Sequence, residues 1–171
     1  MNELIQKIEQ WANDRNIIKG SKPIDQAMKL FSEFGELADN VGKGRDCRDD
    51  IGDVFVVLTI IFAQLGENIS DVAIQGYTTY SDKKAVLHLA ESLADFSDMA
   101  SNNIIDDSIV DILGYLQFIA EGYMDSTLEE CVQIAYNDIK DRKGVMSNGV
   151  FIKESDPAYA SIIASIESNC E

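Results

Sequence analysis

Apolar residues recur every three or four positions along most of the chain, and strict alternation is scarce, so the pattern predicts helices nearly throughout. A first helix over residues 2–16 places Leu4, Ile5, Ile8 and Trp11 on one face, and Gly20 follows as a breaker. Ser21 and Pro23 signal a second helix over 23–41, with Ala27, Leu30, Phe31, Phe34 and Leu37 inward and Gly42 and Gly44 ending it. A third, over 46–65, carries aspartates in its first turn, where they suit the positive end of the dipole, and then the body VFVVLTIIFAQL, which marks it as central. Further helices are expected over 70–80, 84–99, 107–121 and 127–142. Gly144 and Gly149 flank Ser147 and Asn148, with Val150, Phe151 and Ile152 following, so 144–153 reads as a loop or short β-hairpin. Asp156 and Pro157 look like the cap and first residue of a closing helix that ends near Ser168. The fold class is all-α, an antiparallel helical bundle.

Shifted by 58 or 59 positions, the chain resembles itself. Asp53-Val54-Phe55 with Leu58 and Ile61 falls on Asp111-Ile112-Leu113 with Leu116 and Ile119, and Glu33 falls on Glu91. Tyr77 matches Tyr136, and Asp82-Lys83-Lys84 matches Asp141-Arg142-Lys143. Two repeats, about 23–84 and about 85–143, would then be helical hairpins burying their apolar faces on each other, a tandem pseudo-dimer followed by a C-terminal loop and helix over 144–171. The copies are unequal. Where the first has Glu36 and Asp50, the second has Ala94 and Ser108, so one complete site is expected rather than two.

Length and charge narrow the classes. A chain of 171 residues, 46% hydrophobic, suits a single domain over 1–171. Its net charge of −16 repels nucleic acid and anionic membranes, and its longest apolar run, 54–63, is too short to span a bilayer. The acidic, amphipathic N-terminus is unlike a secretory signal. Cys47, Cys131 and Cys170 are odd in number with no CxxC pair, which predicts neither a disulfide framework nor a zinc site. The expectation is a cytoplasmic protein.

Glu33 and Glu36 lie three apart on the second helix, with Cβ atoms roughly 5–6 Å apart, and Asp50 and Asp53 repeat the spacing at the start of the third. A hairpin around Gly42 to Gly44 can bring both pairs into one pocket. Four carboxylates there repel one another unless a cation joins them, and all-oxygen donors select Mg²⁺ or Mn²⁺. Magnesium in turn suggests a substrate phosphate. A single ExxE pair on a helix commonly marks a solvated face; here two pairs flank a glycine turn and border apolar segments.

SEFGELAD at 32–39 and DDIGDVFVVL at 49–58 closely resemble the EExGELA and ExxGDVL elements of MazG-like nucleotide pyrophosphohydrolases. YNDIKDRKGVMSNGVFIKESD at 136–156 looks like the C-terminal signature of short phage and bacterial members, and IEQWANDRNII at 8–18 adds to the likeness. Only about 73–130 falls outside it. Asp50 stands where many members have Glu. The resemblance implies hydrolysis of a nucleoside triphosphate to the monophosphate and pyrophosphate, with Glu33, Glu36 and Asp53 as metal ligands and Asp50 as a fourth ligand or the base. Lys140, Arg142, Lys143 and Lys153, out of character on so acidic a chain, would meet the triphosphate. Trp11, Phe34 and Tyr136 could stack on a base, though aromatic residues at helical spacing more often belong to the core, and His88 reads as structural.

Two alternatives stand beside this reading: an all-helical dUTPase, and a catalytically inactive nucleotide-binding or regulatory protein. No Walker A, GxSxG or Rossmann pattern is present. A pseudo-dimer could be monomeric or pair again as a homodimer.

Overall fold

The computed structural model describes residues 1–78 and 81–168. Among these, eight α-helices and one two-stranded antiparallel sheet follow in chain order, so the all-α expectation is met, with the hairpin where the glycines place it.

Helix α1 (Asn2–Asp14) buries Leu4, Ile5, Ile8 and Ala12, while Trp11 is only half-buried at the edge of that face. Asn16, at φ 56°, turns the chain into α2 (Ile17–Gly20), a short helix that the sequence pattern had read as a simple break. Helix α3 (Pro23–Lys43) starts with its proline in the first turn and the Asp25 carboxylate accepting from the Lys22 amide at 2.8 Å. It buries Gln26, Ala27, Leu30, Glu33, Leu37 and Val41. Phe31, expected inward, is 38% exposed, because it lies about 100° around the helix from the stripe that Leu30 leads. Gly42 remains helical, and Gly44, in the left-handed region at φ 64°, makes the stop.

Helix α4 (Arg48–Leu65) is buried almost continuously from Ile51 to Phe62 and packs against α3, α1 and helix α7 (Leu128–Ile139), which makes it the axis of the bundle. Gly52 lets α7 come close: a Cβ there would stand 2.2 Å from the Cys131 carbonyl oxygen. Full burial of each large apolar side chain along α4 is worth about 1.5–3 kcal/mol.

The helix expected over 70–80 is absent among the described residues. Asn68 caps a single 3-10 turn, Ile69–Asp71, and 72–78 has no regular secondary structure. Ile74 is exposed and Gly76 weakens any helix there, so the stretch has little apolar surface to bury by coiling. Residues 79 and 80 of that expected helix, and Cys170, lie outside the described residues. Helix α5 (Asp82–Ser101) begins with the Ser81 hydroxyl accepting from the Lys84 amide, and it packs on α3 and on α6 (Ser108–Tyr123). A capping box of Thr127 and Glu130 starts α7, which stops at Ile139 rather than continuing to 142.

Strands β1 (Gly144–Ser147) and β2 (Val150–Lys153) pair with Val145 opposite Ile152, and Asn148 and Gly149, both at positive φ, form the two-residue turn. The hairpin is fastened to the α1–α2 corner: the Met146 amide donates to the Arg15 carbonyl and the Gly149 amide to the Gly20 carbonyl, both at 2.8 Å. Gly20 is required there, since a Cβ would stand 2.4 Å from the Met146 carbonyl oxygen. Helix α8 (Tyr159–Ser168) begins two residues after Pro157, with the Asp156 carboxylate accepting from the Ala158 amide. Buried side chains from α1 to β1 form one continuous core.

Candidate functional site

A cavity of about 360 Å³ opens between α1, α3, α4 and the hairpin. Its floor is apolar, built from Val56, Val57 and Ile60 of α4 with Ile139, Met146 and Phe151. Glu33 and Asp53 stand together in its wall with Lys29, Asp25 and Arg142. The volume lies in the usual range for a small-molecule pocket, and a few charged groups on an apolar floor are the usual way such a pocket orients its ligand.

The short turn after α3 folds α4 back along it and brings the two acid pairs to the same end of the hairpin. Burial is the main force on Asp53: it pushes the carboxyl up to about 7, Glu33 and Asp49 add repulsion, and Arg142 and Lys29 oppose. Asp50 is also raised, first by burial and then by Asp49, Glu36 and Glu33, against a 2.7 Å hydrogen bond donated by the Asn40 amide. Glu33, Glu36, Asp49, Asp50 and Asp53 therefore share one electrostatic neighbourhood. They do not form a closed metal cage: among the described residues, no three Asp, Glu, His or Cys side chains converge to hold an ion. Glu33 is turned to Lys29 in an i,i+4 ion pair, and Asp50 to Asn40. Asp50 and Glu36 do not line the cavity.

Of the basic tail, only Arg142 reaches the cavity, where it also pairs with Asp138. Lys140 donates to Asn137 at 3.3 Å, Lys143 faces Glu154 at 3.5 Å, and Lys153 is exposed at the end of β2. Arg15 anchors the segment by donating to the backbone carbonyls of Arg142 at 2.6 Å and Lys140 at 3.0 Å, while its guanidinium lies 5.1 Å over the Trp11 ring. Trp11 lines the cavity, and its buried indole N–H has no hydrogen-bond partner among the described residues. Phe34 and Tyr136 are half-buried against the core and do not line the cavity.

Lys29, Asp25 and Asp49 belong to this site although the sequence reading did not single them out. For Lys29 a signal was present: four residues before Glu33, it shares the inward edge of α3.

The fold and the site together define an all-helical protein with an acid-rimmed, apolar-floored cavity. Over 66 residues, 37% of its length, the chain is 47% identical to an uncharacterized 18.2 kDa protein of the rep-hol intergenic region of Haemophilus phage HP1 (strain HP1c1), of which the match covers 40%. No protein-family model matches the chain, and no solved structure matches it. No helix among the described residues is long and apolar enough to cross a membrane.

Proposed function

We propose that the chain is a Mg²⁺-dependent nucleoside triphosphate pyrophosphohydrolase of the MazG-like type, with Mn²⁺ as an alternative ion. The observation that carries the reading is one cavity holding Glu33 and Asp53, the Arg142 cation and an apolar floor edged by Trp11. A nucleoside triphosphate needs all of these: a surface for base and sugar, a cation for phosphate, and carboxylates for a metal.

The donor set fits a hard cation. Its oxygens come from acids of which Asp50 and Asp53 are raised, first by burial and then by the neighbouring carboxylates, a penalty that a divalent ion relieves. Glu33, Glu36 and Asp53 would hold it, with Asp50 completing the set or serving as base, once Glu33 exchanges Lys29 for the ion. When bound, the ion supplies charge neutralisation at the phosphate oxygens and a coordinated water of lowered pKa. The chain does the rest. Arg142 and the released Lys29 meet phosphate oxygens, the α4 floor excludes water from the base, and a carboxylate accepts the proton of the attacking water.

The test is pyrophosphate release from each of the dNTPs and NTPs and from dUTP, with and without Mg²⁺. Release with Mg²⁺ alone supports the reading, and release from dUTP only would make the protein an all-helical dUTPase. No release from any of them at high protein concentration would overturn it.

A further inference from the structure

At the offset of 58 residues, Asp111, Gly114 and Tyr115 of α6 fall on Asp53, Val56 and Val57 of α4, three residues that line the cavity. On α6 the corresponding place is occupied from within the chain. The stretch 72–78, which has no regular secondary structure, crosses it, and the Tyr77 ring lies over Gly114 so closely that a Cβ there would come within 2.1 Å of the ring. The ring centroid is 4.8 Å from that of Tyr115 at an interplanar angle of 31°, and the Tyr77 hydroxyl donates to the Asp111 carboxylate. Tyr77 does not fill the place. A cavity of about 240 Å³ remains beside it, bordered by Gln117, Phe118 and Gly122.

We propose that α6 and residues 72–78 enclose a second ligand cleft, selective for a flat aromatic ring carrying an O–H or N–H donor, which the chain occupies with its own Tyr77. Each part of the cleft answers a part of that ligand. Tyr115 offers a ring to stack on, Asp111 accepts the donor, and Gly114 provides clearance that any side chain would remove. The second hairpin has Ala94 and Ser108 where the first has Glu36 and Asp50, so the cleft suits an uncharged ring rather than a metal-bound phosphate. The proposal does not depend on the hydrolytic reading, since it concerns a different hairpin and different residues.

The experiment is thermal melting of the full chain and of Tyr77→Ala with p-cresol and with toluene at millimolar concentration. Vacating the cleft should let p-cresol raise the melting temperature of Tyr77→Ala by several degrees, toluene by markedly less, and neither should shift the parent chain. No shift in Tyr77→Ala, an equal shift in the parent, or toluene matching p-cresol would each overturn the proposal. Should Tyr77→Ala not fold, Gly114→Ala keeps the tyrosine and evicts its ring. Its Tyr77 ring resonances, assigned by comparison with Tyr77→Phe, should lose the ring-current shift imposed by Tyr115; unchanged resonances would overturn the cleft.

Discussion

The hairpins α3–α4 and α5–α6 share a layout and differ in what faces their acids. In the first, Asp53 and Glu33 stand at an open cavity, and burial, with repulsion from Glu33 and Asp49 added, pushes the Asp53 carboxyl up to about 7. In the second, Asp111 is closed off by the Tyr77 hydroxyl, and Glu91 is exposed beside His88, whose Nδ1 is 3.6 Å away. The contrast shows where stability has been given up. A carboxylate with a donor of its own settles its charge within the chain, whereas one buried on an apolar floor beside other carboxylates costs stability, the pattern expected of a site under the proposed function.

The largest effect should come from breaking this comparison at its matched acids. Asp53→Asn should lower turnover of a nucleoside triphosphate by roughly 10²–10⁴-fold, the range for losing a group that acts in proton transfer or its support, while Asp111→Asn should leave it within about twofold. Melting should move the opposite way. In Mg²⁺-free buffer at pH 7.5, Asp53→Asn should gain roughly 2–4 °C by removing a buried, repelled charge, and Asp111→Asn should lose stability as Tyr77 exchanges a charged acceptor for the weaker amide oxygen. Comparable activity losses in the two variants, measured by pyrophosphate release, would erase the distinction between the hairpins.

A smaller effect sharpens the same comparison on the cationic side. Arg142 reaches the cavity and Lys143 turns to Glu154, so Arg142→Ala should raise KM about tenfold or more, consistent with a lost charge-assisted hydrogen bond, and Lys143→Ala should change it by less than about twofold. Steady-state kinetics on both variants decides it. Equal KM effects would mean that the whole tail contacts phosphate.

The framework of the first hairpin was legible because its signals are local: the proline start, the left-handed glycine stop and the apolar body of α4 each act within a turn or two. The β-hairpin was legible for the same reason, through Asn148 and Gly149. What the sequence hid is tertiary. Residues 70–80 carry enough apolar letters to suggest a helix, yet 72–78 instead lay Tyr77 across Gly114, a partner 37 positions away in the chain. Spacing named the four carboxylates, but it could not show that Glu33 answers to Lys29 and Asp50 to Asn40, or that only Arg142 of the basic tail turns to the cavity. Charge counts a residue as available, and only packing says which neighbour claims it.

The smallest effect is one of pH, and its sign is fixed by the raised Asp53 carboxyl. Folded, the group holds its proton up to about 7; unfolded, it releases it near the ordinary 3.8. The folded state therefore binds more protons through that window, and the stability this supplies at low pH is lost as pH rises from about 4 to about 7. Asparagine does not titrate, so the melting difference between Asp53→Asn and the parent, measured in EDTA from pH 4.5 to 8, isolates the group. The difference should be near zero at the acid end and open in favour of Asp53→Asn toward pH 7.5, by a few degrees at most because the carboxyl is partly exposed to solvent. Excess Mg²⁺ should close it again by stabilising the parent alone, since an ion bound to the folded state shifts melting by mass action. A difference that stays flat with pH would mean that burial and Glu33 do not govern this carboxyl, and the crowding that separates the first hairpin from the second would lose its energetic basis.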